Sequence, residues 1–328
     1  MLIHILSFSN PNKISEVTQE NLDLLETAAH NQGHKIKIIF ARHCQMQFDK
    51  KLGILVEGKS PKDINVLLVR ANYLNDNLDF KSSIIKQFQL AKVPLINTGE
   101  AVMSAKNKLK TMQVLSKIKI PIPKTCIVSN TKYIDEVVEN IGSFPVILKT
   151  VSGSHGQGVS IIESKRGLRS VIEMVLKNDH SDPLLIQEYV KESKGKDIRV
   201  FILGHRIIGA MERIATKRGE FRSNFHLGGK VRVASMSKRE KAVAFASVKA
   251  LGLDMAGVDL LRTKDGPKVL EVNANPGLEG ITIATERDIA GEIIKYSVKK
   301  ARRAKRKIMR LKEQKRKEAN IKNKKKTT

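Results

Sequence analysis

Gly257-Val258-Asp259-Leu260-Leu261 and, beginning twelve residues after the aspartate, Glu271-Val272-Asn273-Ala274-Asn275-Pro276-Gly277 decide how this chain reads. Glu271 and Asn273 are two apart, so on a strand both side chains leave the same face. Asp259 lies on a preceding strand, joined through Thr263-Lys264-Asp265-Gly266-Pro267, whose Asp-Gly pair predicts a hairpin turn. Two carboxylates and an amide, with no His or Cys among them, are hard oxygen donors suited to magnesium or manganese. Magnesium held by so few carboxylates completes its shell with water and substrate phosphates, so Asp259, Glu271 and Asn273 point toward nucleotide chemistry. The alternative is a hairpin whose three polar residues face solvent. The apolar neighbours argue for burial instead, where an unpaired carboxylate is costly. The pairing carries a register condition. Asp259 shares a face with Glu271 or Asn273 only if the loop is odd in length, because a two-residue loop sets it opposite Val272.

Upstream, Lys149 closes the apolar strand Val146-Ile147-Leu148, and Ser152-Gly153-Ser154-His155-Gly156-Gln157-Gly158 follows. Three glycines and two serines in seven residues let backbone amides turn inward around a phosphate chain. A lysine beside them adds a point charge for phosphate oxygens. The spacing is not that of a Walker motif, and a strand rather than a helix comes next. Taken alone, the loop also reads as a mobile hairpin connection. Gln187-Glu188-Tyr189-Val190 ends a buried strand, where backbone N–H and C=O groups entering a loop could read an adenine edge; an ordinary strand end is the other reading. Asp197-Ile198-Arg199 and Glu212-Arg213 set charges inside apolar strands. Inward-facing arginines suit a reaction that develops charge on phosphate and on an acyl carbon, surface ion pairs being the alternative. Arg222-Ser223-Asn224-Phe225-His226 places basic and amide donors beside Gly228-Gly229; His226 could act as a general base, but with no orienting group it reads as a substrate contact or simply solvated.

Composition sets the outer bounds. The 328 residues allow two or three domains, and 41% hydrophobic with 28% charged residues is globular. Aromatic content of 4% with no Trp weakens any case for a base-stacking single-strand platform. Cys44 and Cys126 are isolated, without metal-ligand spacing, and read as free thiols in a reducing compartment. The apolar opening is too short for a signal peptide and no run spans a membrane, so a cytoplasmic protein without membrane contact is expected. The net charge of +27 is unevenly placed. From Lys299 onward there are sixteen Lys or Arg and two Glu, a local +14 that leaves +13 for the rest. This block extends a helix over Glu286–Val298, then loses apolar periodicity, and Lys322–Lys326 is predicted to be disordered. It reads either as a solvated tail or as an electrostatic attachment to ribosomal RNA or an acidic protein.

Strand-like runs at Ile3–Phe8, Lys35–Phe40, Ile64–Val69 and Pro94–Asn97 alternate with amphipathic helices around Thr18–His30 and Lys81–Ala91. That order predicts a doubly wound α/β domain over residues 1–97, without a dinucleotide fingerprint. A helical segment at Gly99–Ile118, the helix Tyr133–Ile141, strands at Pro145–Thr150, Val159–Glu163 and Leu184–Val190, and a helix near Gly167–Leu176 make a segment over 98–190. A hairpin of Ile198–Leu203 and Arg206–Glu212, the helix Lys238–Leu251 and the metal hairpin fill 191–298. A basic tail, 299–328, completes the chain.

Together, Lys149, Ser152–Val159, Gln187–Val190, Asp197-Ile198-Arg199, Arg222-Ser223-Asn224, Gly257–Asp259 and Glu271–Gly280 resemble the ATP-grasp superfamily, and most closely its RimK-type glutamate ligases. The phrases "FRSNFHLGG" and "AGVDLL…EVNANPGLEGI" are the sharpest matches, and the likeness runs from about Met1 to Val298. The resemblance implies an α+β ATP-grasp fold in which an N-terminal pre-ATP-grasp domain precedes two α+β subdomains that clasp ATP. It implies an ATP-dependent carboxylate–amine ligase that adds glutamate to the acidic C-terminal tail of ribosomal protein S-six through an acyl phosphate. A small-molecule acceptor is the alternative, and a non-catalytic ribosome- or RNA-binding protein on the same scaffold a third. By resemblance Lys108 and Lys149 bind ATP phosphates, and the loop with Ser152, Gly153, Gly156 and Gly158 closes over them. Gln187, Glu188, Tyr189 and Val190 hold adenine and Asp197 the ribose or nearby polar atoms, while Arg222, Ser223 and Asn224 line the phosphate and acyl end. Asp259, Glu271 and Asn273 hold two Mg²⁺ or Mn²⁺ with Glu271 bridging. Arg213 and Arg199 are the catalytic candidates, and a homo-oligomer is the expected assembly. The chain has Asn107 where the family commonly has Asp before the lysine.

Overall fold

The computed structural model describes residues 1–48, 52–70, 78–150, 158–176, 183–216 and 228–324. Two compact units emerge, one of Met1–Ala71, Ser83–Ile96 and Ala290–Thr328, the other of Asn72–Ser82 and Asn97–Ile289.

The first unit is built on β1 (Leu2–Ser7), α1 (Glu16–Asn31), β2 (Lys35–Phe40), β3 (Cys44–Phe48), β4 (Leu52–Val56), β5 (Leu67–Arg70), α2 (Leu78–Leu90) and β6 (Leu95–Ile96). Four strands pair in parallel in the order β2-β1-β5-β6. Parallel strands need crossover helices, and a strand covered on both faces reads as a continuous apolar run. Ile3, Ile5, Leu6, Leu67, Leu68 and Val69 are accordingly buried, as are Leu22 and Leu25 of α1 and Ile84, Ile85 and Phe88 of α2. The alternation predicted for the first 97 residues is thus present, with an antiparallel β3–β4 hairpin added that the sequence pattern does not announce.

The second unit carries α3 (Gly99–Lys106), α4 (Lys108–Lys117), β7 (Thr125–Val128), α5 (Ile134–Ile141), β8 (Val146–Thr150), β9 (Val159–Ile162), α6 (Lys165–Val175) and β10 (Leu184–Glu188). It continues with β11 (Lys196–Leu203), β12 (Arg206–Ile214), β13 (Lys230–Val233), α7 (Lys238–Ala250), β14 (Met255–Thr263), β15 (Gly266–Asn273) and α8 (Glu279–Thr285). The helical stretch before Pro121 is two helices: Asn107 ends α3 and caps α4, its Oδ1 accepting from the Lys110 N–H at 3.0 Å. Asn is as good a cap as Asp, so the departure from the family pattern preserves this turn.

An antiparallel sheet of order β7-β10-β8-β9 turns one face to α5 and α6. Val128, Leu148, Leu184 and Ile186 pack there with Ile134, Val137, Leu168 and Ile172. Period-two alternation puts Lys149 and Gln187 on the opposite face. A second antiparallel sheet runs β13-β12-β11-β14-β15. Its Ile198, Val200, Val258, Leu260 and Val272 are buried, and α7 packs along β14 and β15. Asp197, Arg199, Arg213, Asp259, Glu271 and Asn273 fall on the other face.

The β14–β15 hairpin meets the register condition by a different route from an odd loop. Thr263 pairs with Gly266, so the loop is the two residues Lys264-Asp265, and β14 and β15 stay in step to Leu260↔Val269. One extra residue then enters β15, and Asp259 pairs with Glu271. A bulge at Leu270 therefore restores the shared face that a two-residue loop alone would deny.

The last helix, α9 (Ile289–Lys324), spans 36 residues. From Ala290 it groups with the first unit, and Gln32 Nε2 donates to the Gly291 carbonyl at 3.0 Å. Disorder was expected from Lys322, yet the helix continues through Lys324; Lys325 and Lys326 lie outside the described residues. Lys, Arg, Glu, Gln and Ala are strong helix formers, and a chain already nucleated by a packed helix extends without a new initiation cost.

Candidate functional site

The six polar residues on the open face of the five-stranded sheet form a ladder. Asp259 is 3% exposed and sits between two guanidinium groups. Arg199, its cross-strand partner, donates Nε to Oδ1 and Nη2 to Oδ2, the latter at 2.6 Å. Arg213 donates Nη2 to Asp259 Oδ2 at 2.7 Å and also grips Asp197, Nε to Oδ1 at 2.7 Å and Nη2 to Oδ2 at 2.5 Å. Burial alone would lower the Arg213 pKa, but Asp259 and Asp197 outweigh it and hold that side chain charged. Burial likewise pushes the Asp259 carboxyl upward, while Arg199 and Arg213 more than reverse this, so its pKa is lowered. Gly257 makes room for the arrangement: a Cβ there would stand 2.8 Å from Arg199 Cδ and 3.0 Å from Pro276 Cβ.

Opposite Asp259, Glu271 is exposed. Three lysines feel its charge: Lys106, Lys108 and Lys149. Lys149 is pushed down to about 8, chiefly by burial, with Lys108 adding repulsion and Glu271 opposing it. Burial lowers Lys108 and Lys106 too, again with Glu271 pulling the other way. Lys149 Nζ donates to Gln187 Oε1 at 2.7 Å, and Gln187 Nε2 donates to Thr125 Oγ1 at 2.8 Å. Lys108 Nζ reaches the Thr150 carbonyl at 3.2 Å. Asn273 Oδ1 accepts from the Asn275 N–H at 2.8 Å. Lys106 was not singled out from sequence, although the Lys106-Asn107-Lys108 spacing around a helix break was its available signal.

Several residues that the resemblance places at the nucleotide also hold partners within the protein. Gln187 is 1% exposed and works through its side chain, which aims Lys149. The Glu188 N–H is used by the Lys124 carbonyl at 2.8 Å, and its carboxylate holds Lys268 at 2.8 Å and 2.9 Å. The Val190 carbonyl accepts from Ser193 N–H at 3.2 Å, and Tyr189 is half-buried. Asp197 accepts from Arg213 with both oxygens and is 5% exposed, an arrangement that orients the arginine. At the close of the Gly-rich loop, Gly158 adopts φ +69°, and a Cβ there would meet Thr150 Oγ1 at 2.8 Å. Ser152, Gly153 and Gly156, and likewise Arg222, Ser223, Asn224 and His226, lie outside the described residues.

A cation would find two carboxylates and an amide here, and among the described residues no cluster of three His, Cys, Asp or Glu side chains offers more. Glu271 fits that role best, because its carboxylate is exposed. Asp259 already has its charge balanced by two arginines, so a cation bound to it would compete with Arg199 or Arg213.

The RimK-like ATP-grasp domain family matches residues 105–297. This chain belongs to that family. A probable alpha-L-glutamate ligase of Pseudoalteromonas translucida is 38% identical over 278 residues, 84% of this chain and 90% of the relative. One from Vibrio parahaemolyticus is 36% identical over 282 residues, 85% and 91% of the two chains. Among solved structures, the ATP-grasp ligase PsnB complexed with minimal precursor superposes with TM-score 0.69 at 18% identity, covering 90% of this chain and 98% of that one. D-alanine–D-alanine ligase from Bacillus anthracis complexed with ATP gives 0.67 at 18% identity, covering 94% and 99%. The RimK-like ATP-grasp member described here is therefore an ATP-dependent ligase with the expected ATP-grasp fold. Among its described residues no helix is long and apolar enough to cross a membrane.

Proposed function

We propose that this chain is a glutamate ligase that joins glutamate to the C-terminal carboxylate of an acidic protein tail, that of ribosomal protein S-six. The observation that carries the reading is the set of three lysines around Glu271, set against the Arg213–Asp259–Arg199 ladder. A carboxylate is a poor electrophile at neutral pH, and phosphorylation by ATP turns its oxygen into a leaving group. Attack by the glutamate amine then gives an amide, with ADP and phosphate released. Lys106, Lys108 and Lys149 offset the phosphate charge, while Arg199 and Arg213, fixed by carboxylates, present oriented donors to charge that develops at the acyl centre. Glu271 and Asn273, with Asp259 once it exchanges an arginine, hold magnesium or manganese, which supplies further charge neutralisation when bound. Glutamate is supported by the names of relatives 38% and 36% identical. A peptide acceptor is supported by the fold shared with a ligase solved with a precursor.

A small-molecule acceptor is the second reading, favoured by the equal likeness to D-alanine–D-alanine ligase. Incubation with ATP, magnesium and glutamate, with and without purified S-six, followed by mass spectrometry, separates the two. Additions of one glutamate residue mass on S-six are expected. ADP release that depends on glutamate and a small carboxylate, with S-six unchanged, would overturn the protein acceptor.

A further inference from the structure

Beyond Ala301, α9 leaves the packed core: Ala301 is 4% exposed, while Arg302–Glu318 is exposed throughout except at Ala304. Those seventeen residues carry ten Lys or Arg and two Glu, a net +8 over about 25 Å of helix. At 100° per residue, Arg310, Lys307, Lys315, Lys312, Lys305 and Arg302 succeed one another around the whole circumference, with gaps of no more than about 80°. The apolar stripe of the packed part of the helix continues only through Ala304, Ile308 and Leu311, the last two already 45% and 48% exposed, after which the same face carries Lys315 and Glu318.

This pattern excludes most occupants. Three large apolar side chains, Ile308, Met309 and Leu311, confined to one turn, fall short of the three to four heptads of a coiled coil, and a second copy of so basic a helix would repel the first. An interfacial membrane helix needs a wide apolar face, which charge on every side denies. An acidic peptide lying along the rod would meet only one side of it. A folded nucleic acid presents phosphates to a lodged helix from more than one side, as arginine-rich segments that bind RNA exploit, and a basic helix gains from each of them by counterion release.

We propose that Arg302–Glu318 is an arm that docks into the groove of a folded RNA. Naming RNA rather than DNA rests on the ribosomal acceptor proposed above. The test compares the full-length protein with a variant carrying Arg302→Gln, Arg303→Gln, Arg306→Gln and Arg310→Gln, which removes charge but keeps good helix formers. Binding to a labelled, bulged stem-loop RNA is followed by fluorescence anisotropy at about 50 and about 200 mM salt. Circular dichroism and ATP turnover check that the variant is folded. The parent is expected to bind RNA at least about tenfold more tightly than the variant and with a steeper salt dependence, each lost phosphate contact flattening the slope by about 0.7–0.9. It is also expected to prefer the RNA about tenfold over a DNA duplex of equal length and over polyglutamate. Equal RNA affinity of parent and variant would overturn the proposal, as would DNA or polyglutamate binding as tightly as RNA. Mass addition to isolated S-six is measured separately, so RNA binding without glutamylation rejects the acceptor and leaves the arm standing.

Discussion

Arg199 and Asp259 lie directly across from each other on β11 and β14, and the guanidinium meets both carboxylate oxygens side-on. Such a bidentate pair fixes the orientation of an arginine far better than a single contact does. Because Arg213 shares the same carboxylate, removing it would leave two buried cations with Asp197 as their remaining counter-charge.

Asp259→Asn should therefore cost about 3–5 kcal/mol of stability, the usual penalty for breaking a buried pair. The effect carries a pH signature. The folded carboxyl has a lowered pKa, so its contribution is complete above the unfolded value of about 3.9 and is lost as pH falls through the folded one. Urea unfolding from pH 7 down to pH about 3 should show the parent and the variant converging. A constant gap across that range would mean that Asp259 is not the titrating group.

Lys149 is predicted to bind ATP through its charged form, although burial holds its pKa at about 8. In the free protein, stability rises with pH between about 8 and the unfolded value near 10.4, because the unfolded chain then holds more protons. ATP affinity should run the other way and decline above pH about 8 as the ammonium is lost. Lys149→Ala should weaken binding by about 1.5–3 kcal/mol and remove that decline. Calorimetric titrations between pH 7 and 9, in two buffers of different ionisation enthalpy, would read both; an unchanged affinity in the variant takes Lys149 out of the site.

Glu271→Gln should keep the fold, since the side chain is exposed, and reduce turnover at least about a hundredfold. Steady-state rates across a magnesium titration check this. Parental turnover with an unshifted magnesium requirement would make Glu271 a surface residue only.

Much of this site is legible in sequence because two-residue periodicity fixes faces. Glu271 and Asn273 must share one, and Asp197, Arg199 and Arg213 fall on the same side once β11 and β12 pair. The bulge at Leu270 leaves no such mark, since an extra residue in a strand changes no hydrophobic pattern. Short strands are hidden for a related reason: β7 and β13 have four residues each and little burial to impose alternation. Gln187 was read through its backbone because its position at a strand end says nothing of Lys149, 38 residues away. Asn97 reads in sequence only as the end of a strand, since its partners lie more than 150 residues downstream.

That asparagine is 0% exposed and fully engaged. Its Nδ2 donates to the carbonyls of Met255 at 2.8 Å and Ala274 at 3.1 Å, and its Oδ1 accepts from the N–H groups of Asp254 and Met255 at 2.7 and 2.9 Å. It thus ties the start of β14 to the residue after Asn273. Asn97→Ala strands buried backbone groups, each worth about 1–3 kcal/mol, and should lower stability by several kcal/mol. Chemical denaturation measures this; a loss within about 0.5 kcal/mol, typical of surface sites, would show that water replaces the amide without penalty.

Gly257→Ala tests whether the arginine ladder matters apart from the fold. The added methyl would lie 2.8 Å from Arg199 Cδ and 3.0 Å from Pro276 Cβ, so one of them must move. Pro276 is held by its ring and by the chain on both sides, whereas Arg199 can rotate away from Asp259. Overpacking of this kind costs about 1–3 kcal/mol, which a folded protein can absorb. Turnover should fall much further than stability, because Arg199 loses the geometry that aims it, and Arg199→Ala in the same background should add little. Kinetics and thermal melts of the two single variants and the double variant decide it. If Gly257→Ala and Arg199→Ala reduce turnover independently and multiplicatively, the glycine does not act through Arg199.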